Sequence, residues 1–391
     1  MGVLSSCQNP QKDSLQSLQN AVAENPKDAK ALNRLAIMLD KEGNSEQARI
    51  YYERLLRIDP KNDKALSNLV AIWWKKRDFN QAKSYLDRLI EAYPEDSEAW
   101  ANMGAILMEM GNLKEGQDYL TRALAINPKN VSALNNLGAL WFRQENLDQA
   151  LFYYEKALGI DPSYIGALEN LAAVWLEKRK LDQAKLYYER VLSIKPKDTY
   201  TLMILGWIRA QTGDLDQAIA YYERVLAVDP KDIYVLGELG LTWLKKKDLD
   251  QAESYCKRAL DIDPKYIHAL EALGYIFEEK NNEDKAISYY KRILVIDPKN
   301  IYALTHMAGI LADKGRLNQA KSYFEQALSL DKNHILTLEA LGKVFYKKKD
   351  FDQSEIYFKR ILVLEPHYDV ATKWLQDIEK EKLALKKKSR T

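Results

Sequence analysis

Apolar residues recur along this chain at helical spacing, and the spacing restarts at regular intervals. Between Val131 and Tyr164, the residues Leu134, Leu137, Gly138 and Trp141 fall at i, i+3, i+4 and i+7, one face of a helix. Further on, Ala150, Tyr154 and Ala157 fall at i, i+4 and i+7 and mark the face of a second helix. The polar break Glu145-Asn146 separates the two faces, and Asp161-Pro162 closes the segment. The pattern predicts two antiparallel helices joined by a tight turn.

Proline shows how often that segment returns. Ten of the eleven prolines form one series of step 34: Pro26, Pro60, Pro94, Pro128, Pro162, Pro196, Pro230, Pro264, Pro298 and Pro366. Lys332 holds the missing term, and only Pro10 lies outside the series. A fixed period of this length signals stacked repeats. It gives ten units: 29–62, 63–96, 97–130, 131–164, 165–198, 199–232, 233–266, 267–300, 301–334 and 335–368. Position 16 of the unit is Asn or Asp in eight of ten cases, and position 19 is Gln or Glu in nine, which suits a cap on the second helix. Proline at position 32 is expected to stop that helix. Glycine at position 15 (Gly43, Gly111, Gly213, Gly315) permits the left-handed backbone of a tight turn. Small residues at positions 8 and 20, such as Gly138 with Ala150, are expected to let the two helices approach closely. Gly116, inside a second helix, is expected to cost about 1 kcal/mol relative to alanine and make the third unit a soft point.

The recurring order, Leu or Trp, then Leu with Gly or Ala, an aromatic, Ala, Tyr, a small or β-branched residue and Pro, resembles the tetratricopeptide repeat family. The resemblance covers Ala29 to Tyr368. It implies an all-α fold, a right-handed α-solenoid superhelix of about ten helix-turn-helix repeats. Residues 1–10 are expected to form a disordered leader, and 11–28 a half-repeat helix ahead of the array. Residues 369–385 are expected to form a capping helix, with Trp374, Leu375 and Ile378 on its apolar side, followed by the basic tail 386–391.

Composition removes most other functions. Lys and Arg number 58 against 56 Asp and Glu, a net charge of +2, so there is no large surplus for nucleic-acid phosphates. No apolar run reaches the roughly 18 residues of a transmembrane helix. Two cysteines, Cys7 and Cys256, and four histidines give neither a disulfide framework nor a metal cluster. Cys256 takes a position usually held by Tyr or Phe and reads as a core residue. No triad or phosphate-loop spacing occurs, so neither catalysis nor a cofactor is expected.

Binding of a protein or peptide partner is the function that the resemblance implies. First-helix positions 2, 5, 6, 9, 12 and 13 tend to line the concave groove of this family. Position 6 is Asn68, Asn102, Asn136 and Asn170 in four consecutive units, with Ala71, Ala105, Ala139 and Ala173 at position 9. A carboxamide donates and accepts at once and can hold both sides of a peptide group. The arrangement resembles the asparagine ladder of the O-linked N-acetylglucosamine transferase superhelix, which holds extended peptide. From the sixth unit onward the same positions turn aromatic. Tyr200, Met203, Trp207, Tyr234, Tyr275, Tyr302 and His306 are candidates for side-chain contact, since amphipathic aromatics concentrate at interfaces.

Three readings of Met1 to Cys7 stand side by side: an ordinary leader of a cytoplasmic protein, myristoylation at Gly2, or the remnant of a bacterial lipoprotein signal lipidated at Cys7. Either lipid would attach the chain to a membrane, though a single lipid chain gives only marginal attachment. The leading function is a non-catalytic scaffold or adaptor. The alternative is a structural protein whose complementary half-repeats stack head to tail into fibres.

Overall fold

The computed structural model describes residues 14–388, and these form 22 helices with no strand among the described residues. Gly2, Cys7 and residues 389–391 of the basic tail lie outside them. The helices, numbered α1 to α22 in chain order, follow the expected pairs. The first helix of every repeat has 13 residues, as in α8 (Val131–Arg143). The second has 14, as in α9 (Leu147–Ile160), except α13 (Leu215–Leu226). Ahead of the pairs stands α1 (Leu15–Glu24), and after them α22 (Asp369–Lys388).

The turn within each pair has the same geometry in all ten repeats. The N–H of position 16 donates to the carbonyl of position 11, for example Asn146 to Trp141 at 2.9 Å and Lys180 to Trp175 at 2.8 Å. Closing that bond requires a left-handed residue at position 15. Four repeats meet the requirement with glycine, and six with Arg77, Glu145, Arg179, Lys247, Asn281 and Lys349 at φ between +53° and +65°. The side chain at position 16 then accepts from the N–H three residues on, as in Asn146 with Gln149 at 3.1 Å and Asp78 with Gln81 at 3.0 Å. Asn112 departs from expectation and makes no such cap bond.

The sequence pattern contains a second cap series, at the last position of the unit. Asp28, Asn62, Asp96, Asn130, Asp198, Asp232 and Asn300 each cap the first helix of the next repeat. Where Tyr266 stands instead, its ring lies over Gly237, where an added Cβ would sit 3.0 Å from it. The expectation that proline stops the second helix needs correction. At Lys332 the helix α19 (Leu317–Leu330) ends at the same place without it. The cap N–H of Asp331 closes on Ala327 at 3.0 Å, so the turn itself ends the helix.

The paired helices approach closely at the small residues expected at positions 8 and 20, as where Ser354 Oγ donates to the Gly342 carbonyl at 2.9 Å, and position 8 has a further neighbour. An added Cβ on Gly138 would lie 2.5 Å from the Tyr154 ring, and one on Gly206 would lie 2.6 Å from Tyr222. Glycine at position 8 therefore receives the side chain of position 24. Those side chains are the buried pivots of the repeats: Tyr52, Tyr154 and Tyr188, then Tyr222, Tyr290, Phe324 and Phe358. Cys256 is the buried small member of the series, and burial pushes its thiol up to about 12, which keeps it protonated. Gly116 is likewise a close-packing residue, with an added Cβ 2.9 Å from the Gly104 carbonyl oxygen. The same glycine thus lets the two helices of the third unit approach closely.

The chain divides into two compact units, residues 1–196 and 197–391. Within each, a first helix packs on its own second helix and on the second helix before it. Neighbouring first helices also touch. In the first unit α6 (Ser97–Glu109) meets α8, and α8 meets α10 (Ile165–Glu177). In the second, α12 (Thr199–Gln211) meets α14 (Ile233–Lys245), α14 meets α16 (Ile267–Glu279), and α18 (Ile301–Asp313) meets α20 (Ile335–Lys347). This crowding makes the first helices the inner row of each unit.

On the second-helix side, arginines at position 26 staple consecutive repeats. Arg190 lies over the Tyr187 ring at 5.6 Å and donates to the Pro162 carbonyl at 2.8 Å. Arg292 repeats this with Tyr289 and Pro264. Lysines at position 14 reach an acid of the preceding repeat, as in Lys178 with Asp148 at 2.9 Å and Lys314 with Asp284 at 2.8 Å.

Candidate functional site

The expected contact residues fall in both units, and the packing treats them unequally. The four asparagines belong to the first unit, on α4 (Asp63–Lys75), α6, α8 and α10, and all are half-buried. Asn170 donates its Nδ2 to Asn135 Oδ1 at 2.9 Å, and Asn135 donates in turn to Asn136 Oδ1 at 3.4 Å. Part of the expected ladder therefore holds α8 to α10. Asn135, which is buried, escaped the sequence reading because asparagine does not recur at position 5 across those four units. The Asn135-Asn136 doublet was its only signal.

In the second unit the aromatic set separates into two groups. Tyr200, Trp207 and Tyr234 are 57%, 36% and 46% exposed, and Leu241, also unforeseen, is 37% exposed. Tyr200, Met203, Ile204 and Trp207 lie along one face of α12 at i, i+3, i+4 and i+7, with Met203 and Ile204 half-buried. Tyr234 and Leu241 occupy the corresponding face of the adjacent α14. Tyr275, Tyr302 and His306 instead pack together. The Tyr302 and His306 rings are 4.1 Å apart, and Tyr275 meets His306 edge-on at 6.4 Å. Tyr302 also meets the buried Tyr290 ring at 6.1 Å. Burial and the carboxylate of Glu278 raise the Tyr302 hydroxyl, so it stays protonated.

Glutamates lie among these rings. His306 Nδ1 is 3.1 Å from Glu278 Oε1, and Asn300 donates to Glu271 Oε1 at 3.1 Å. Tyr222 donates to Glu238 Oε2 at 3.4 Å. Burial raises the Glu238 carboxyl above the ordinary carboxylate range, and that hydroxyl only partly offsets it. Tyr275 hydrogen-bonds Glu279, which raises the phenol. No group of three or more His, Cys, Asp or Glu that could hold a metal occurs among the described residues, and no helix among them is long and apolar enough to cross a membrane.

Repeated helix pairs with an inner row of first helices define a helical-repeat protein. Models of the tetratricopeptide repeat match residues 12–63, 42–106, 95–163, 141–208, 209–274, 244–310 and 301–334. The chain belongs to the tetratricopeptide repeat family. No curated protein matches it. Among solved structures, it is similar to a tetratricopeptide repeat protein from Parabacteroides merdae, with 19% identity, 64% of this chain and 99% of that one covered, and a TM-score of 0.48. It is similar also to pilF of Pseudomonas aeruginosa, with 20% identity, 54% and 96% covered, and a TM-score of 0.45. A third is YrrB, described as a tetratricopeptide repeat protein with an unusual peptide-binding site, with 22% identity, 48% and 97% covered, and a TM-score of 0.34.

Proposed function

We propose that this chain is a non-catalytic scaffold whose first-helix faces hold an extended segment of a partner protein. The observation that carries this reading is the exposure of Tyr200, Trp207, Tyr234 and Leu241 on adjoining helices. Large rings left in water on a rigid inner row bury area at low entropic cost when a partner arrives. Within the first unit, Asn68 and Asn102 are the asparagines best placed to hold peptide backbone, because Asn136 and Asn170 are tied to Asn135. Two variants test the two parts. Tyr200→Ala with Trp207→Ala and Tyr234→Ala is expected to weaken a partner purified with the wild-type chain by tenfold or more, on the order of 1.4 kcal/mol or above. Asn68→Ala with Asn102→Ala is expected to weaken it by a smaller factor. Unchanged affinity in the aromatic variant, at an unchanged melting temperature, removes the reading.

A further inference from the structure

The geometry points to a partner segment carrying lysine or arginine side chains, bound where the exposed rings of α12 and α14 adjoin the glutamates of α14 and α16. This rests on the reading of the first-helix face as a protein-binding surface and adds the chemistry of what it takes. Charge complementarity selects the occupant. The whole chain is close to neutral, yet Glu238, Glu271, Glu278 and Glu279 lie on this face with Lys245 as the lysine beside them. Several acids on the second helices are paired with lysine, Asp250 and Glu253 with Lys280 and Asp284 with Lys314, and on the inner face Asp313 of α18 is paired with Lys347. The four glutamates of the inner face meet weaker donors. Glu238 takes the Tyr222 hydroxyl, Glu271 the Asn300 amide with the His268 imidazole 3.7 Å away, Glu278 the His306 imidazole and Glu279 the Tyr275 hydroxyl.

A lysine or arginine brought to such carboxylates would form charge-assisted hydrogen bonds, which exceed neutral ones in strength. The burial that raises Glu238 would be offset by a cation delivered beside it. Aromatic faces suit the same cations, which lie over rings with their apolar stems against Met203, Ile204 and Leu241. The sign of the face turns away acidic segments and nucleic-acid phosphates. Neighbouring first helices lie about 8–10 Å apart, and an extended chain advances about 3.3 Å per residue. Basic residues at intervals of about three would therefore meet successive helices.

The test uses the full chain and three fluorescent peptides that repeat Lys-Leu-Ser, Gln-Leu-Ser or Glu-Leu-Ser, followed by anisotropy at low and moderate salt. The lysine peptide is expected to bind about tenfold or more tighter than the glutamine peptide, and the glutamate peptide more weakly than either. Glu238→Gln with Glu271→Gln and Glu278→Gln is expected to abolish the preference for lysine. Asn68→Ala with Asn102→Ala is expected to leave that preference in place. Equal binding of the lysine and glutamine peptides, or a preference that survives the triple glutamine variant, overturns the inference. If those peptides bind equally and Trp207→Ala removes both, the binding face stands and only its charge selectivity falls. If no peptide binds and the purified partner is indifferent to the aromatic variant, both readings fall. Melting temperatures of all variants establish that each chain is folded.

Discussion

At the scale of single residues, one backbone requirement is met in two chemically different ways. Lys247 holds φ at +65°, where glycine would sit without its Cβ crowding the following carbonyl, whereas Gly213 fills the same turn at +85°. The six substituted turns are formed because the bond from position 16 to position 11, the cap and the packing of both helices over-determine them. Lys247→Gly is therefore expected to stabilise the chain by about 1 kcal/mol, despite the greater freedom that glycine gives the unfolded state. Urea denaturation checks this, and a lower midpoint would show that the turn is unstrained. Cys256 illustrates the same scale in the core. A small side chain in a slot otherwise held by large ones leaves Gly240 close, with an added Cβ 2.4 Å from the sulfur.

At the scale of helices, the ends are set by local chemistry and the partners by charge. Helix α22 is attached to α21 (Phe351–Leu364) by buried Ala371 and Ile378 and by Lys382, which pairs with Asp352 and with Glu355 at 2.6 Å. Lys359 and Lys382 hold the Glu355 carboxyl down at about 2, against an ordinary 4.5. A depressed acid stabilises the folded state above its unfolded pKa, and the contribution fades as pH falls through the folded value. The advantage of wild type over Glu355→Gln is accordingly expected to be present at neutral pH, to shrink below about 4.5 and to vanish near 2. Hydrogen exchange of the α22 amides across that window measures it, and a difference independent of pH would contradict the assignment. Most of this scale was legible in the sequence. The cap at position 16, the left-handed turn and the pairing of helices all follow from residues a few places apart. The pattern predicts that proline stops the second helix, yet α19 ends at the same place with Lys332 in the proline position.

At the scale of the molecule, stability in a repeat array is a sum of local terms and nearest-neighbour interfaces. Gly138→Ala would place a methyl carbon 2.5 Å from Tyr154, an overpacking expected to cost about 1–3 kcal/mol. The loss is expected to centre on α8 and α9 and to spread mainly to the helices that touch them. Amide exchange should therefore accelerate there while α18 and α20, in the other unit, keep their protection. A uniform loss along the chain would show that the array unfolds as a single block.

The sequence by itself determined the period, the helix pairs, their caps and the family, because each of these is a relation between residues near one another along the chain. It also placed asparagines and aromatics on first-helix positions. Only the tertiary structure decided which of them remain available. Asn170 is turned inward to Asn135, and Tyr302 is folded onto His306, while Tyr200, Trp207 and Tyr234 stay in water and Leu241 joins them. The physical reason is that each such position is covered or left open by a particular neighbour, which for Asn170 is Asn135 one repeat back and for Tyr302 is His306 one turn on together with Tyr290 of the preceding helix. Helical periodicity fixes the direction of a residue on its own helix, whereas the size and polarity of the side chains packed against it determine whether it is spent in packing.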